Sequence, residues 1–534
     1  MKKKFGVDKV LEWLLLGLLF VQISFIVYFN LSDIRCSLDF DVANTFYHYM
    51  EVIKNGTMRL ENWNHTTSLE LDGSFLFAVP LYYITKDIFL AVGISNIILM
   101  VLYLLVIFRI LWHAGVNKMF TYASLCLAIT PYSYGMLEYF NMMFYGGACY
   151  SIKTLIPLLF LLLIQILVKK EAYVKRERVE LGTITALYVG FLLVTSFSTG
   201  FYAMLCGILP MLMCLMIDVW IDGDWQKKYN KKHIYLIIGT FVIYIIGSIM
   251  HNNFYPDVSR SNMRITKLEN YAINFRACIA GLFQVFGATT SADVEVVSFW
   301  GIVHCLKMVL VGLFLAVAIY NFIGFFRKTE QLDVRKYLFF IFFFNFLVLL
   351  IADCRYGTNT HIEYRYLLIG VVPLILLFGI QLSEWRKVWN EFQYRTIGVC
   401  LILALVVLLA GNNGNVIRSW DRTTYAVELC DYFNTLDIDS VFFVDDPDTS
   451  IICKGIDSNH KYGAFITETQ TLHQSFCSYK ESTSGSFYGG SNVVAIIEGR
   501  DIYEQFPEQI AKNYSYIGKV RWYDLYISDT VYFP

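Results

Sequence analysis

Apolar runs long enough to cross a bilayer recur along the chain, and they constrain the fold more than any other feature. Backbone amides in hydrocarbon have no water to bond, so each crossing must be a helix of roughly 20 predominantly apolar residues. About eleven runs meet that description: one over 10–29, after Met1-Lys2-Lys3-Lys4, and others centred on Ile98, Leu125, Leu159, Val189, Leu209, Ile243, Leu313, Phe344, Leu374 and Leu405. The first is too long for a signal-peptide core and no small-residue cleavage site follows it, so it reads as an uncleaved anchor. The runs flanking Gly200 are joined only by Ser198-Thr199-Gly200.

Composition agrees. Hydrophobic residues make up 56% of the chain and charged ones 16%, against about 25% charged in ordinary globular proteins. That excludes an ordinary soluble enzyme. The 43 Lys+Arg and 44 Asp+Glu nearly cancel, so no basic excess points to a nucleic-acid partner. The 12 cysteines show no CxxC or Cys/His ligand spacing. Cys36, Cys354, Cys430, Cys453 and Cys477 lie in polar segments, where one pair could be bridged in an oxidising compartment.

Basic segments next to membrane spans stay cytoplasmic. Lys2 to Lys4, Lys169-Lys170 with Lys175-Arg176 and Arg178, Lys227-Lys228 with Lys231-Lys232, Arg327-Lys328 with Arg335-Lys336, and Arg386-Lys387 fall on one side when eleven spans alternate. The amino terminus is then cytoplasmic and the tail extracytoplasmic. The expected organisation is a transmembrane domain over 1–411, with outer loops at about 30–87 and 251–300, and an outer domain over 412–534. In that tail 425–436 reads as an amphipathic helix, 441–444 as a strand ending at Asp445-Asp446-Pro447, 493–497 as a strand and 502–514 as a helix, a small α/β domain.

Long loops tend to carry function. The first opens with Asp39-Phe40-Asp41 and continues as a helix that stops at Asn55-Gly56. Val42, Phe46, Tyr49 and Ile53 share one face, while Asp41, Asn44 and His48 share the other, so this helix is expected to lie flat on the bilayer with its acids above the membrane. An Asp at such a position also serves as an N-cap, so Asp39 and Asp41 carry two readings, cap and catalyst. Beyond the helix come Trp63, His65, Asp72 and an apolar return segment over 75–83. Glu138 and Lys153 lie between the third and fourth spans, and Arg355, His361, Glu363, Arg365 and Tyr366 precede the span holding Pro373. Acids and arginines crowding one membrane face suit chemistry between a phosphate-linked lipid and a polar acceptor. The bland readings are that Glu363 and Arg365 pair with other loops for structure, that His48, His65 and His361 are surface hydrogen-bonders, and that Lys307 snorkels to the interface.

Two motifs resemble the polytopic glycosyltransferases of fold class C (GT-C), which include protein mannosyltransferases and bacterial lipid-sugar transferases. One is the acid soon after the first span leading into an amphipathic helix, Asp41 through Gly56. The other is Glu363-Tyr364-Arg365-Tyr366-Leu367 leading into a late span with Pro373. The resemblance covers about 10–411 and implies a GT-C-like fold. It further implies transfer of a sugar from a polyprenyl-phosphate donor to a glycopolymer, lipid or protein acceptor in the cell envelope, on the outer face. Asp41 becomes the general base, with Asp39 a helper or a contact for a divalent cation such as Mg or Mn. Arg365, Arg355 and Lys153 become the phosphate-holding cations, and Glu138, His361, Glu363 and Tyr366 further substrate contacts. A single base suffices for inverting displacement, because the phosphate departs as a stable anion. The second-loop acidic motif and a His-Pro-Pro signature, frequent in that superfamily, are not reproduced. The alternative is a transporter or flippase of lipid-linked saccharides, which would place ionisable groups near the bilayer midplane; a third is a receptor or assembly factor acting through its tail.

Overall fold

The structure is a computed structural model, and it describes residues 6–65, 68–133, 138–168, 175–199, 202, 204–222, 229, 231–254, 265–289, 294–325, 332–352, 364–475, 477–506 and 508–533. The amino-terminal part is a bundle of helices and the carboxyl-terminal part a mixed sheet with helices packed on it.

The bundle comprises α1 (Val7–Leu31), α2 (Phe40–Asn55), α3 (Phe75–Thr85), α4 (Ile88–His113), α5 (Lys118–Ala128), α6 (Tyr139–Phe144), α7 (Ser151–Leu167), α8 (Lys175–Ser198), α9 (Leu209–Asp222), α10 (Lys231–Phe254), α11 (Tyr271–Val285), α12 (Phe299–Phe325), α13 (Val334–Ile351), α14 (Leu368–Trp385) and α15 (Glu391–Ser419). Among the described residues nine helical segments are long and apolar enough to span a bilayer: α1, α4, α8, Met204–Ile221, α10, α12, α13, the segment containing α14, and the segment containing α15. This is a multi-pass membrane protein.

Each of the eleven expected runs is helical, and both runs flanking Gly200 are full-length helices. The shortfall from eleven comes from α5, with 11 residues, and α7, with 17. Both are enclosed by protein: α5 packs on α1, α14 and α15, and every residue of α7 is buried among α4, α8 and their neighbours. A helix buried in protein need not match the bilayer's thickness.

In the tail, α16 (Thr424–Phe433) leads to β2 (Ser440–Val444), α17 (Pro447–Ile456), β3 (Lys461–Ile466), β4 (Thr471–Leu472), β6 (Asn492–Ile497), β7 (Ser515–Val520) and β8 (Tyr523–Ser528). The sheet order is β4-β3-β2-β6-β8-β7, with β2 parallel to β3 and β6. Val441, Phe442, Phe443 and Val444 are fully buried, the continuous apolar run expected of a strand covered on both faces. In place of one helix over 502–514 there are two single turns, Ile502–Gln505 and Glu508–Ala511, and then β7. Pro507 between them lacks the N–H a continuous helix needs. At the junction, α15 runs past residue 411 to Ser419.

Candidate active site

The amphipathic helix exists where its pattern places it. Asp39 is the N-cap of α2, accepting from the Val42 N–H at 2.9 Å, and Gly56 closes the helix at φ +64°. Its apolar face sits on the bundle: Tyr49 stacks on Phe75 at 4.4 Å, Phe46 stacks on Phe89 at 5.0 Å, and the Tyr49 hydroxyl donates to the Leu69 carbonyl. Its polar face is not solvated, as an interfacial helix would leave it. Ser475 donates to Asn44, Tyr479 donates to Glu51 at 2.7 Å, and β1 (Trp63–Asn64) pairs antiparallel with β5 (Ser478–Tyr479) of the tail domain. The helix is clamped between the two parts of the molecule. The segment before it is held too: the Thr423 hydroxyl donates to the Arg35 carbonyl and accepts from the Leu38 N–H.

The two acids diverge in role. Asp39 is 7% exposed and committed to the cap, and burial raises its carboxyl above the ordinary carboxylate range. Asp41, one residue into the helix, points its carboxylate at Arg365, with Nη1 to Oδ2 at 3.3 Å. Their side chains are 38% and 25% exposed, so the pair is open to solvent. The Arg365 guanidinium lies 5.5 Å from the centre of the Tyr366 ring, and the Tyr366 carbonyl accepts from Tyr202 and Asn345, which fixes the 3-10 turn (Tyr364–Leu367) that leads into α14.

Lys153, at the start of α7, is buried with its Nζ 3.4 Å from Asp72 and 2.7 Å from the Cys149 carbonyl. Asp72 is anchored in turn by the hydroxyls of Ser198 and Thr199. Gly73 permits this meeting of loops, since a Cβ there would stand 2.6 Å from the Gly147 carbonyl oxygen. Glu138 lies beyond Tyr364, which hydrogen-bonds it, and within electrostatic reach of Lys307 and Arg422. Burial pushes its carboxyl up to about 7, against the pull of those two cations.

Three members of this surface were not legible as such. Glu70, at φ +53°, accepts from Thr45 at 2.7 Å and from the Cys149 thiol; a positive φ on a non-glycine residue is a mark of functional loops that no sequence pattern announces. Arg422 sits within reach of both Asp39 and Glu138, and as one of several bases after the last span it offered only its position. Lys307 does not snorkel: it is 6% exposed and donates to the Tyr132 carbonyl at 3.1 Å, because α12 turns that residue toward the bundle. His48 is likewise no surface hydrogen-bonder, being 3% exposed with Nε2 unpartnered. Arg355, His361 and Glu363 lie outside the described residues, as does Cys354. Of the remaining cysteines, Cys430 and Cys453 adjoin each other, with the Cys430 sulfur 4.0 Å from the Cys453 carbonyl oxygen. Among the described residues no three His, Cys, Asp or Glu side chains are grouped to hold a metal, and Asp39 is occupied as a cap.

Glu138 yields a pH prediction. Its carboxyl titrates near 7 in the fold against an ordinary 4.5, so the folded state holds the proton more tightly between those values. Ionising this carboxyl destabilises the fold increasingly as pH rises from about 4.5 to about 7, approaching roughly 3 kcal/mol, and the effect vanishes on acidification. Glu138→Gln, which mimics the protonated form, is expected to raise the thermal midpoint at pH 8 and to converge with the parent at pH 5. Parallel midpoint–pH curves would contradict this.

No protein-family profile and no curated protein matches the chain. Two solved structures of ArnT from Cupriavidus metallidurans are similar in fold. The apo form has a TM-score of 0.55 at 11% identity, covering 95% of this chain and 97% of that one. The form bound to undecaprenyl phosphate has a TM-score of 0.54 at 10% identity, covering 96% and 97%. The likeness is one of fold across both parts of the molecule, and it bears out the GT-C-like architecture with an appended sheet domain.

Proposed function

We propose that this chain is a membrane glycosyltransferase that moves a sugar from a polyprenyl-phosphate donor to a cell-envelope acceptor on the outer face of the membrane. The observation that carries the reading is the Asp41–Arg365 pair, a half-exposed carboxylate and guanidinium 3.3 Å apart that joins the start of α2 to the lead into α14. A base that must accept a hydroxyl proton and a cation that must hold a phosphate are what this transfer requires at one place. The fold of a protein crystallised with undecaprenyl phosphate adds weight to a lipid-linked donor.

In the absence of donor, Arg365 neutralises Asp41. A phosphate monoanion or diester brought to the pair competes for the guanidinium through bidentate, charge-assisted hydrogen bonds. As Arg365 turns to the phosphate, the Asp41 carboxylate is released from the guanidinium and accepts the proton of the acceptor hydroxyl as it attacks the sugar's anomeric carbon. The anomeric C–O bond to phosphate breaks and polyprenyl phosphate leaves as an anion, with inversion. Lys153, held at Asp72, adds positive charge near the bilayer surface where the lipid headgroup would lie.

A translocator would place its ionisable groups at the midplane. The buried pairs Lys153–Asp72 and Lys336–Asp218 instead involve residues at helix ends, which favours surface chemistry. The test is to incubate the purified full chain and membrane acceptors with a panel of radiolabelled polyprenyl-phosphate sugars. Cleavage of at least one donor is expected; passage of intact donors across vesicles with none cleaved would favour the translocator.

A further inference from the structure

The seam between α2 and the tail domain has an excess of hydrogen-bond donors. Lys454, on α17, is 6% exposed, and its Nζ lies over the Tyr47 ring at 5.8 Å. Among the described residues it has no hydrogen-bond or ion-pair partner, and burial lowers its ammonium to about 8. Beside it on α2, Asn44 has its carbonyl oxygen taken by Ser475 while its amide nitrogen donates to nothing among the described residues. His48 Nε2 and Trp63 Nε1 are buried and unpartnered, and the Trp63 ring packs on both Tyr47 and His48 at 5.3 Å. The nearby acceptors are already engaged, since the Glu51 carboxylate accepts from Tyr479 and Asn55.

A largely buried lysine with no ion-pair partner among the described residues, beside two buried and unpartnered ring nitrogens, is costly unless something satisfies them. We propose that this seam is a binding site for an oxyanion, a phosphate or a carboxylate, carried by the acceptor, with Lys454 supplying the charge and Asn44 a hydrogen bond. The proposal rests on Asp41 marking the transfer site. Asn44 is three residues along the same helix face and Tyr47 six residues on, a third of a turn round, so at 1.5 Å per residue they stand about 4.5 and 9 Å beyond Asp41 along the helix axis. An acceptor whose hydroxyl meets Asp41 would thus carry its anionic group about one sugar ring away. This gives the tail domain a role in acceptor selection, because Lys454 belongs to it.

The test uses the purified full chain at pH 7 and constant ionic strength, with inorganic phosphate and sodium glucuronate as separate probes. The thermal midpoint is expected to rise by about 2 °C at a tenfold excess of the recognised anion over its Kd. Lys454→Met should abolish the rise while keeping an anion-free midpoint equal to or above the parent's, and Lys454→Arg should retain it. A response to phosphate alone assigns a phosphoryl acceptor, and one to glucuronate alone an acidic sugar. Silence to both anions, or an unchanged response in Lys454→Met, overturns the proposal. So does a loss of undecaprenyl phosphate binding in Lys454→Met, which would move the lysine to the donor. An intact anion response in a chain that cleaves no donor would instead leave the seam standing and remove the proposed transfer.

Discussion

Asp41→Asn is expected to lower sugar transfer by about 10²–10⁴-fold, the range lost when a positioned general base is removed, while leaving folding and membrane insertion unchanged. The structure explains why folding should survive. Asp39, not Asp41, caps α2, and Asp41 makes a half-exposed ion pair with Arg365, of the kind that contributes little to stability. Asp39→Asn gives the contrasting result, since asparagine caps as well as aspartate and transfer should stay within a few-fold of the parent. Initial rates with a cleaved donor, beside thermal midpoints of both variants, check the pair. Near-normal rates in Asp41→Asn would remove the base.

Gly455→Val is expected to damage stability and transfer together. A Cβ at Gly455 would stand 2.6 Å from the Ala43 carbonyl oxygen and 2.7 Å from its Cα, so α17 and α2 touch backbone to backbone there. Overpacking of this kind costs about 1–3 kcal/mol. Because Ala43 is two residues from Asp41, the displacement reaches the base, and misplacement by an ångström is worth about 100-fold in rate. Gly312→Ala on α12 is the control, since nothing lies within 4 Å of a Cβ there. Equal midpoints and rates for the two variants would show that the tail does not hold α2 in place.

The membrane helices were legible because a bilayer imposes length and composition on every crossing, and the runs at α5 and α7, read as spans, fall short of that length because protein, not lipid, surrounds them. The cap, the stop at Gly56 and the two faces of α2 could be read for a similar reason: they are local. What α2's polar face meets could not be read. Amphipathicity reports that two faces differ, and Ser475 and Tyr479 lie 431 and 428 residues from the partners they bind. The same limit explains Lys307 and His48, lone polar residues whose orientation is decided by neighbours remote in sequence. Asp41 and Arg365 were legible singly, and their pairing across 324 residues was not.

The most direct test of the account is the affinity of the purified chain for undecaprenyl phosphate, compared between Arg365→Gln and Asp41→Asn. If Arg365 exchanges Asp41 for the lipid phosphate, Arg365→Gln loses a charged hydrogen bond of about 1.5–3 kcal/mol and weakens binding by roughly 10- to 100-fold. Asp41→Asn, which frees the guanidinium, binds as tightly as the parent or more so. Parent-like affinity in Arg365→Gln, together with lost binding in Asp41→Asn, would contradict it.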